Sequence, residues 1–178
     1  MIRKIGLGLL ALFILITIVT FAFYSSFRSE NLAALEAGSQ IAETSAGPIE
    51  YQIVGDTGSV LLFLHGTPGG YDGGSVLTEM EGLDGFRILT PSRPGYLRTP
   101  LEVGRTPTAQ AHAYAALLDS LSINSVIVMG ASGGGPSAIA FASLYPNRTI
   151  ALVALEAVSQ PIVLSEVQGE APYWAQLI

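Results

Sequence analysis

Four short apolar runs, at residues 60–64, 86–89, 126–129 and 150–155, limit the folds open to this chain more than any other feature. The first reads Val60-Leu61-Leu62-Phe63-Leu64 without a break. Such a run suits a strand covered on both faces, the situation of a parallel sheet with helices on each side. Helical patterns lie between the runs. Thr106-Pro107 opens one, with Pro at a first helical position, and Ala111, Tyr114, Ala115, Leu117, Leu118 and Leu121 recur at helical spacing before Ile123-Asn124 ends it. A second begins at Gly133 and carries Ile139, Ala140, Phe141 and Leu144 to the stop at Tyr145-Pro146-Asn147. Ahead of both, residues 39–44 and 49–54 flank the turn cluster Ser45-Ala46-Gly47-Pro48, which predicts a β-hairpin. Strands alternating with helices imply right-handed βαβ units, so the expected fold is α/β, a mostly parallel central sheet with flanking helices.

That domain is preceded by a different kind of segment. Residues 5–24 hold no Asp, Glu, Lys or Arg, and about 20 apolar residues match the hydrocarbon core of a bilayer. Arg3 and Lys4 stand before them, and positive charge on a short leading side keeps that side cytoplasmic. The expectation is a transmembrane anchor over 1–28, a connector of one or two helical turns over 29–38, and an extracytoplasmic domain. A cleaved signal peptide, which would leave that domain secreted, is the alternative. It fits less well, because the apolar stretch is long and no A-x-A-like site follows closely.

Composition excludes several function classes. With no Cys there is neither a disulfide nor a thiolate nucleophile, and with only His65 and His112 a His-rich metal site has too few ligands. Residues 28–178 carry six Lys and Arg against fourteen Asp and Glu, a net charge of −8 that repels phosphate backbones and speaks against a nucleic-acid partner. Neither a cofactor nor a metal is called for.

Ligands of an open parallel sheet bind beyond the carboxyl ends of its strands, and two loops there are informative. After Met129 comes Gly130-Ala131-Ser132-Gly133-Gly134-Gly135-Pro136, a G-x-S-x-G between a strand and a helix. A sharp turn in that setting lifts a serine hydroxyl clear of the sheet, and small neighbours let the turn close. The other reading of a Gly-rich strand-to-helix turn is a phosphate site, but no G-K-[ST] follows and no G-x-G-x-x-G precedes. After Leu64 comes His65-Gly66-Thr67-Pro68-Gly69-Gly70, a turn that can bring a backbone N–H close to a developing oxyanion. His65 ends a buried strand, so its expected role is to orient this loop by hydrogen bonding rather than to act as a base.

These two motifs, with Pro91-Ser92-Arg93-Pro94-Gly95-Tyr96 after the strand between them in sequence, resemble the serine-hydrolase branch of the α/β-hydrolase fold. The resemblance covers about residues 40–158. It implies that Ser132 is the nucleophile, that the backbone N–H groups of Thr67 and Gly133 form the oxyanion hole, and that a small-molecule ester or amide is cleaved through an acyl-Ser intermediate. It implies too that residues 39–158 form the N-terminal part of the hydrolase core, and 159–178, with Tyr173 and Trp174, the start of a cap. Leu97 stands where the family's loop usually has a second Gly, and Ala131 where many members have His or Asp, so neither loop points to one subfamily. A Ser at position 132 argues against the dehalogenase branch, which uses Asp there. In this fold the acid and then the His follow the nucleophile. Glu156 is the candidate acid, with Glu166 and Glu170 as later options, but no His follows Ser132. The residues as given are therefore expected to be a partial product, with an apolar sheet edge left uncovered. The competing reading is a non-catalytic, membrane-tethered binding module on the same fold. Arg93 and Arg98 are expected to be solvated rather than paired with carboxylates, and His112 and Asp119 to be structural or solvent-facing. Nothing in the sequence assigns an oligomeric state.

Overall fold

A computed structural model describes residues 2–78, 83 and 85–159. It divides into two units, Met1–Gln40 and Ile41–Ile178. In the first, α1 (Ile2–Ala37) is a single helix of 36 residues. Every side chain from Ile5 to Tyr24 is exposed, including Phe13, Phe21 and Phe23, so the helix buries no apolar face of its own. It is long and apolar enough to cross a membrane. The expected connector is not a separate element. The helix runs through Leu32-Ala33-Ala34-Leu35-Glu36-Ala37, all good helix formers, and stops only before Gly38. Ser26 Oγ on Glu30 Oε1 and Asn31 Nδ2 on the Phe27 carbonyl brace that stretch at i,i+4 spacing.

In the second unit the hairpin forms as expected, with β1 (Gln40–Thr44) and β2 (Gly47–Val54) joined by Ser45-Ala46. Gly47 sits at φ +115°, where a side chain would be strained. Then follow β3 (Ser59–Leu64), α2 (Gly73–Thr78), β4 (Phe86–Pro91), α3 (Pro107–Ser120), β5 (Val126–Ala131), α4 (Gly135–Leu144) and β6 (Thr149–Leu155). The helix α2 was not expected, since Gly73-Gly74 is a poor helical start. Residues 132–134 form a tight 3-10 turn, so the last helix begins two residues later than Gly133.

The six described strands lie in the order β1-β2-β4-β3-β5-β6. β3 is parallel to β4 and β5, β5 is parallel to β6, and β2 runs antiparallel to β4. Pleating sends Val60, Leu62 and Leu64 into one apolar cluster with α3 and α4, and Leu61 and Phe63 into another with Leu77 of α2, so β3 is covered on both faces. β6 is not covered on both faces as its apolar run suggests, and instead matches the expected uncovered sheet edge. All of its residues from Ile150 to Leu155 are exposed, because among the described residues it pairs only with β5 and no helix covers its outer part. An apolar run shows what a strand would bury; it does not supply the cover.

Candidate active site

Chain order reverses around β3, with β4 on one side and β5 on the other. This is the switch point of an open parallel sheet, where the loops leaving two strands part and open a crevice. Register does the rest. Leu64 pairs with Gly130, so His65-Gly66 and Ala131-Ser132 leave the sheet side by side.

Ser132 has φ +46°, a left-handed conformation that a non-Gly residue rarely adopts, and it is exposed at the head of the turn. Its backbone is tied from both sides, since its carbonyl accepts the N–H of Gly135 and, at 3.0 Å, that of Val158. The neighbouring glycines are required by close approach. A Cβ at Gly134 would lie 2.0 Å from the Leu64 carbonyl oxygen, and one at Gly130 2.5 Å from the Ala138 Cβ. Gly66 faces the serine itself: a Cβ there would stand 3.1 Å from Ser132 Cβ.

On the facing loop, His65 is almost fully buried, 2% exposed. Nδ1 lies 2.7 Å from the Gly66 carbonyl, to which it donates, and Nε2 accepts the Arg93 N–H at 3.0 Å. Both ring nitrogens are engaged in one neutral tautomer, which matches the orienting role expected from sequence. Burial lowers its pKa below 6.5; the Gly66 hydrogen bond opposes this in part, and the lesser influences of the Arg93 charge, downward, and Asp72, upward, follow. A base whose pKa falls on folding favours the folded state while it is neutral. Its contribution is complete above the unfolded value and is lost as pH drops below about 6.5. The urea midpoint of unfolding is therefore expected to decline between pH 7 and 5.5, before the carboxylates titrate; a flat midpoint across that window would contradict it.

Thr67 is exposed, and its hydroxyl lies 2.6 Å from the phenol oxygen of Tyr96. A Cβ at Gly133 would sit 3.5 Å from that hydroxyl and 3.3 Å from Arg93 Nη1, so Thr67, Gly133 and Arg93 converge beside Ser132. Glu156 directly follows Leu155, which pairs with Ala131, and so it emerges at the same end of the sheet as Ser132. It is exposed, with φ +46°. Glu166, Glu170, Tyr173, Trp174 and the cap proposed for 159–178 fall outside the described residues, apart from residue 159.

The two arginines differ from expectation. Arg98 Nε is 2.8 Å from Glu50 Oε1, and Glu50 is only 1% exposed. The other Glu50 oxygen accepts from Ser92 Oγ at 2.8 Å and from the Arg98 N–H at 3.0 Å, while the Glu50 N–H donates to Thr99 Oγ1. This buried network clamps the loop after β4 onto β2. Leu97 lies within that loop at φ +46°, a physical reason for a glycine to be the commoner choice there. Arg93 is half-buried. Its Nη1 donates to the His65 carbonyl at 3.2 Å, its guanidinium carbon lies 5.6 Å from the centre of the Tyr96 ring, and no carboxylate pairs with it among the described residues. Beneath it, burial pushes the Tyr114 phenol far up, opposed by the Arg93 charge. His112 and Asp119 match the structural reading: His112 Nδ1 pairs with the Tyr145 hydroxyl, and Asp119 with Arg148. Sequence reasoning gave no role to Glu50, Ser92, Tyr96 or Thr99. The one local signal was a charge at position 50 between apolar Ile49 and Tyr51.

A serine held at positive φ between a parallel strand and a helix, facing a Gly-rich loop across a switch point, defines the class of α/β proteins with a strained serine turn. The chain belongs to the alpha/beta hydrolase fold family, whose model matches residues 59–176. It is similar to the uncharacterized hydrolase YcgS of Bacillus subtilis, 42% identical over 117 residues that cover 64% of this chain and 39% of the relative. Among solved structures, an alpha/beta hydrolase fold protein from Nakamurella multipartita superimposes with a TM-score of 0.63 at 37% identity, covering 72% of this chain and 46% of that one. A thermophilic esterase from Thermogutta terrifontis gives 0.59 at 25% identity, covering 77% and 56%. The chain spans less than half the length of the curated relatives it matches.

Proposed function

We propose that the protein is a serine hydrolase that cleaves a small-molecule ester or amide through an acyl-Ser132 intermediate. The observation that carries this reading is the exposed Ser132 at φ +46°, facing Gly66 at the switch point. In the reaction Ser132 Oγ bonds to the substrate carbonyl carbon and the carbonyl oxygen becomes an oxyanion. The backbone N–H groups of Thr67 and Gly133 are its donors, Gly133 lying in the first turn of a helix, where N–H groups have no intrahelical partner. Collapse of the intermediate expels the alcohol or amine, and water then releases the acid. The Ser132 proton passes to a base that the described residues do not supply, since His65 has both ring nitrogens engaged and His112 is tied to Tyr145, and from that base it goes to the departing alcohol or amine. Glu156 is the proposed acid of the triad. Similarity to an esterase supports acyl chemistry. Labelling by a fluorophosphonate is the test: modification at Ser132 supports the hydrolase, whereas a folded, unlabelled protein favours the binding module on the same fold.

We also infer that α1 anchors the protein with residues 1–4 in the cytoplasm and Ser132 outside. The fully exposed apolar helix supports this, since leaving such a surface in water costs about 25 cal/mol per Å². Reporters fused after Gln40 are expected to be active if they need an extracytoplasmic environment and silent if they need the cytoplasm. The opposite pattern would overturn the orientation, and release of a soluble domain would favour the cleaved signal.

A further inference from the structure

We propose that the Thr67 side-chain hydroxyl is a third oxyanion donor and that Tyr96 is the positioning residue that aims it; the inference rests on the acyl-Ser132 reading. Tyr96 touches three groups of the site. Its ring meets the His65 imidazole edge-on at 5.0 Å, the Arg93 guanidinium lies 5.6 Å from its centre, and its hydroxyl reaches Thr67 Oγ1 at 2.6 Å. Its backbone is closed into a tight loop by Tyr96 N–H to the Arg93 carbonyl, Thr99 N–H to the Tyr96 carbonyl, and Gly95 N–H to the Thr99 carbonyl. The Glu50 network clamps that loop through Ser92, Arg98 and Thr99. A phenol fixed in this way does not depend on Thr67 for its own place, so the contact acts in the other direction and fixes the threonine.

Donor and acceptor roles follow from acidity. A phenol is the stronger acid and an aliphatic hydroxyl the better acceptor, so Tyr96 donates and Thr67 Oγ1 accepts. The Thr67 O–H is then left to donate elsewhere. Its oxygen lies on the Gly133 side of the crevice, within 3.5 Å of where a Gly133 Cβ would be, next to the proposed backbone donor. The Arg93 cation on the same side, which no carboxylate pairs with among the described residues, favours negative charge at that spot and disfavours the opposite polarity. A preorganised hydroxyl aimed where charge develops is the arrangement that lowers a barrier without reorganisation.

The test is the second-order rate of fluorophosphonate labelling of the full-length protein in detergent, with the modified residue located by peptide mass spectrometry. Labelling forms the Ser132 Oγ–P bond and breaks P–F; fluoride leaves, the serine proton passes to solvent, and the phosphonyl oxygen occupies the oxyanion position. Thr67→Val is expected to slow labelling about 100-fold, and Thr67→Ser, which keeps the hydroxyl, to restore the rate to within a few-fold. Tyr96→Phe is expected to slow it about tenfold, and the double variant Thr67→Val/Tyr96→Phe to be no slower than Thr67→Val alone. Ser132 labelled at the unmutated rate in Thr67→Val, a Thr67→Ser as slow as Thr67→Val, or additive losses in the double variant would each overturn the proposal while leaving the hydrolase reading intact. No labelling of Ser132 in the unmutated protein would overturn both. Should Thr67→Val fail to fold, Tyr96→Phe alone decides, an unchanged rate overturning the proposal.

Discussion

Ser132→Ala is expected to abolish labelling by fluorophosphonates, because no neighbouring group can form the covalent bond in its place. Stability is expected to stay within about 0.5 kcal/mol, as for other exposed substitutions. The hydroxyl is at an exposed position, and the interactions that hold the turn use the Ser132 carbonyl, which alanine keeps. The packing glycines at 130 and 134 are untouched as well. The measurement pairs a labelling time course with a urea titration. Label incorporated at the normal rate elsewhere in Ser132→Ala would identify a different nucleophile, and a lost urea transition would mean that the serine has a structural role instead.

The second large effect lies away from the reacting atoms. Arg98→Ala is expected to destabilise the domain by about 3 kcal/mol, since it takes a charged partner away from a carboxylate that is only 1% exposed. Glu50 would keep the Ser92 hydroxyl and the residue 98 N–H, but lose the guanidinium at 2.8 Å. The comparison is Arg105→Ala, which removes an equally short pair with Glu102 in which both side chains are more than 60% exposed; its cost is expected to be under about 1 kcal/mol. Urea midpoints of the two variants measure the difference. Equal midpoints would show that the Glu50 pair contributes no more than a surface contact. The clamp also carries Tyr96, so Arg98→Ala is expected to slow Ser132 labelling, which Arg105→Ala leaves unchanged.

Much of the molecule is determined by local sequence. Apolar runs at 60–64 and 126–129 specify buried strands because such side chains have nowhere else to go, and Pro107 after Thr106 sets a helix start because its missing N–H is not needed there. The serine turn is equally local: Gly130, Ser132 and Gly134 encode it through the close approaches that only glycine permits. The orienting role of His65 was legible too, since an imidazole at the end of a buried strand bonds its own loop through Gly66, although its second bond, to the Arg93 N–H of the β4 loop, was not. Tertiary structure decided the rest. Glu50, in the hairpin's second strand, reads as an ordinary charge until the loop 92–99 closes over it from more than 40 residues away and exchanges water for Arg98, Ser92 and Thr99. Tyr96 becomes part of the site only because the β3–β5 switch point and the β4 loop bring it to Thr67. β6 shows the converse, an apolar pattern left exposed from residue 150 to residue 155. Side-chain pattern records what a segment gains by burial and which backbone angles it tolerates. Which distant group replaces the water at a given atom is settled only when the sheet order brings those groups together.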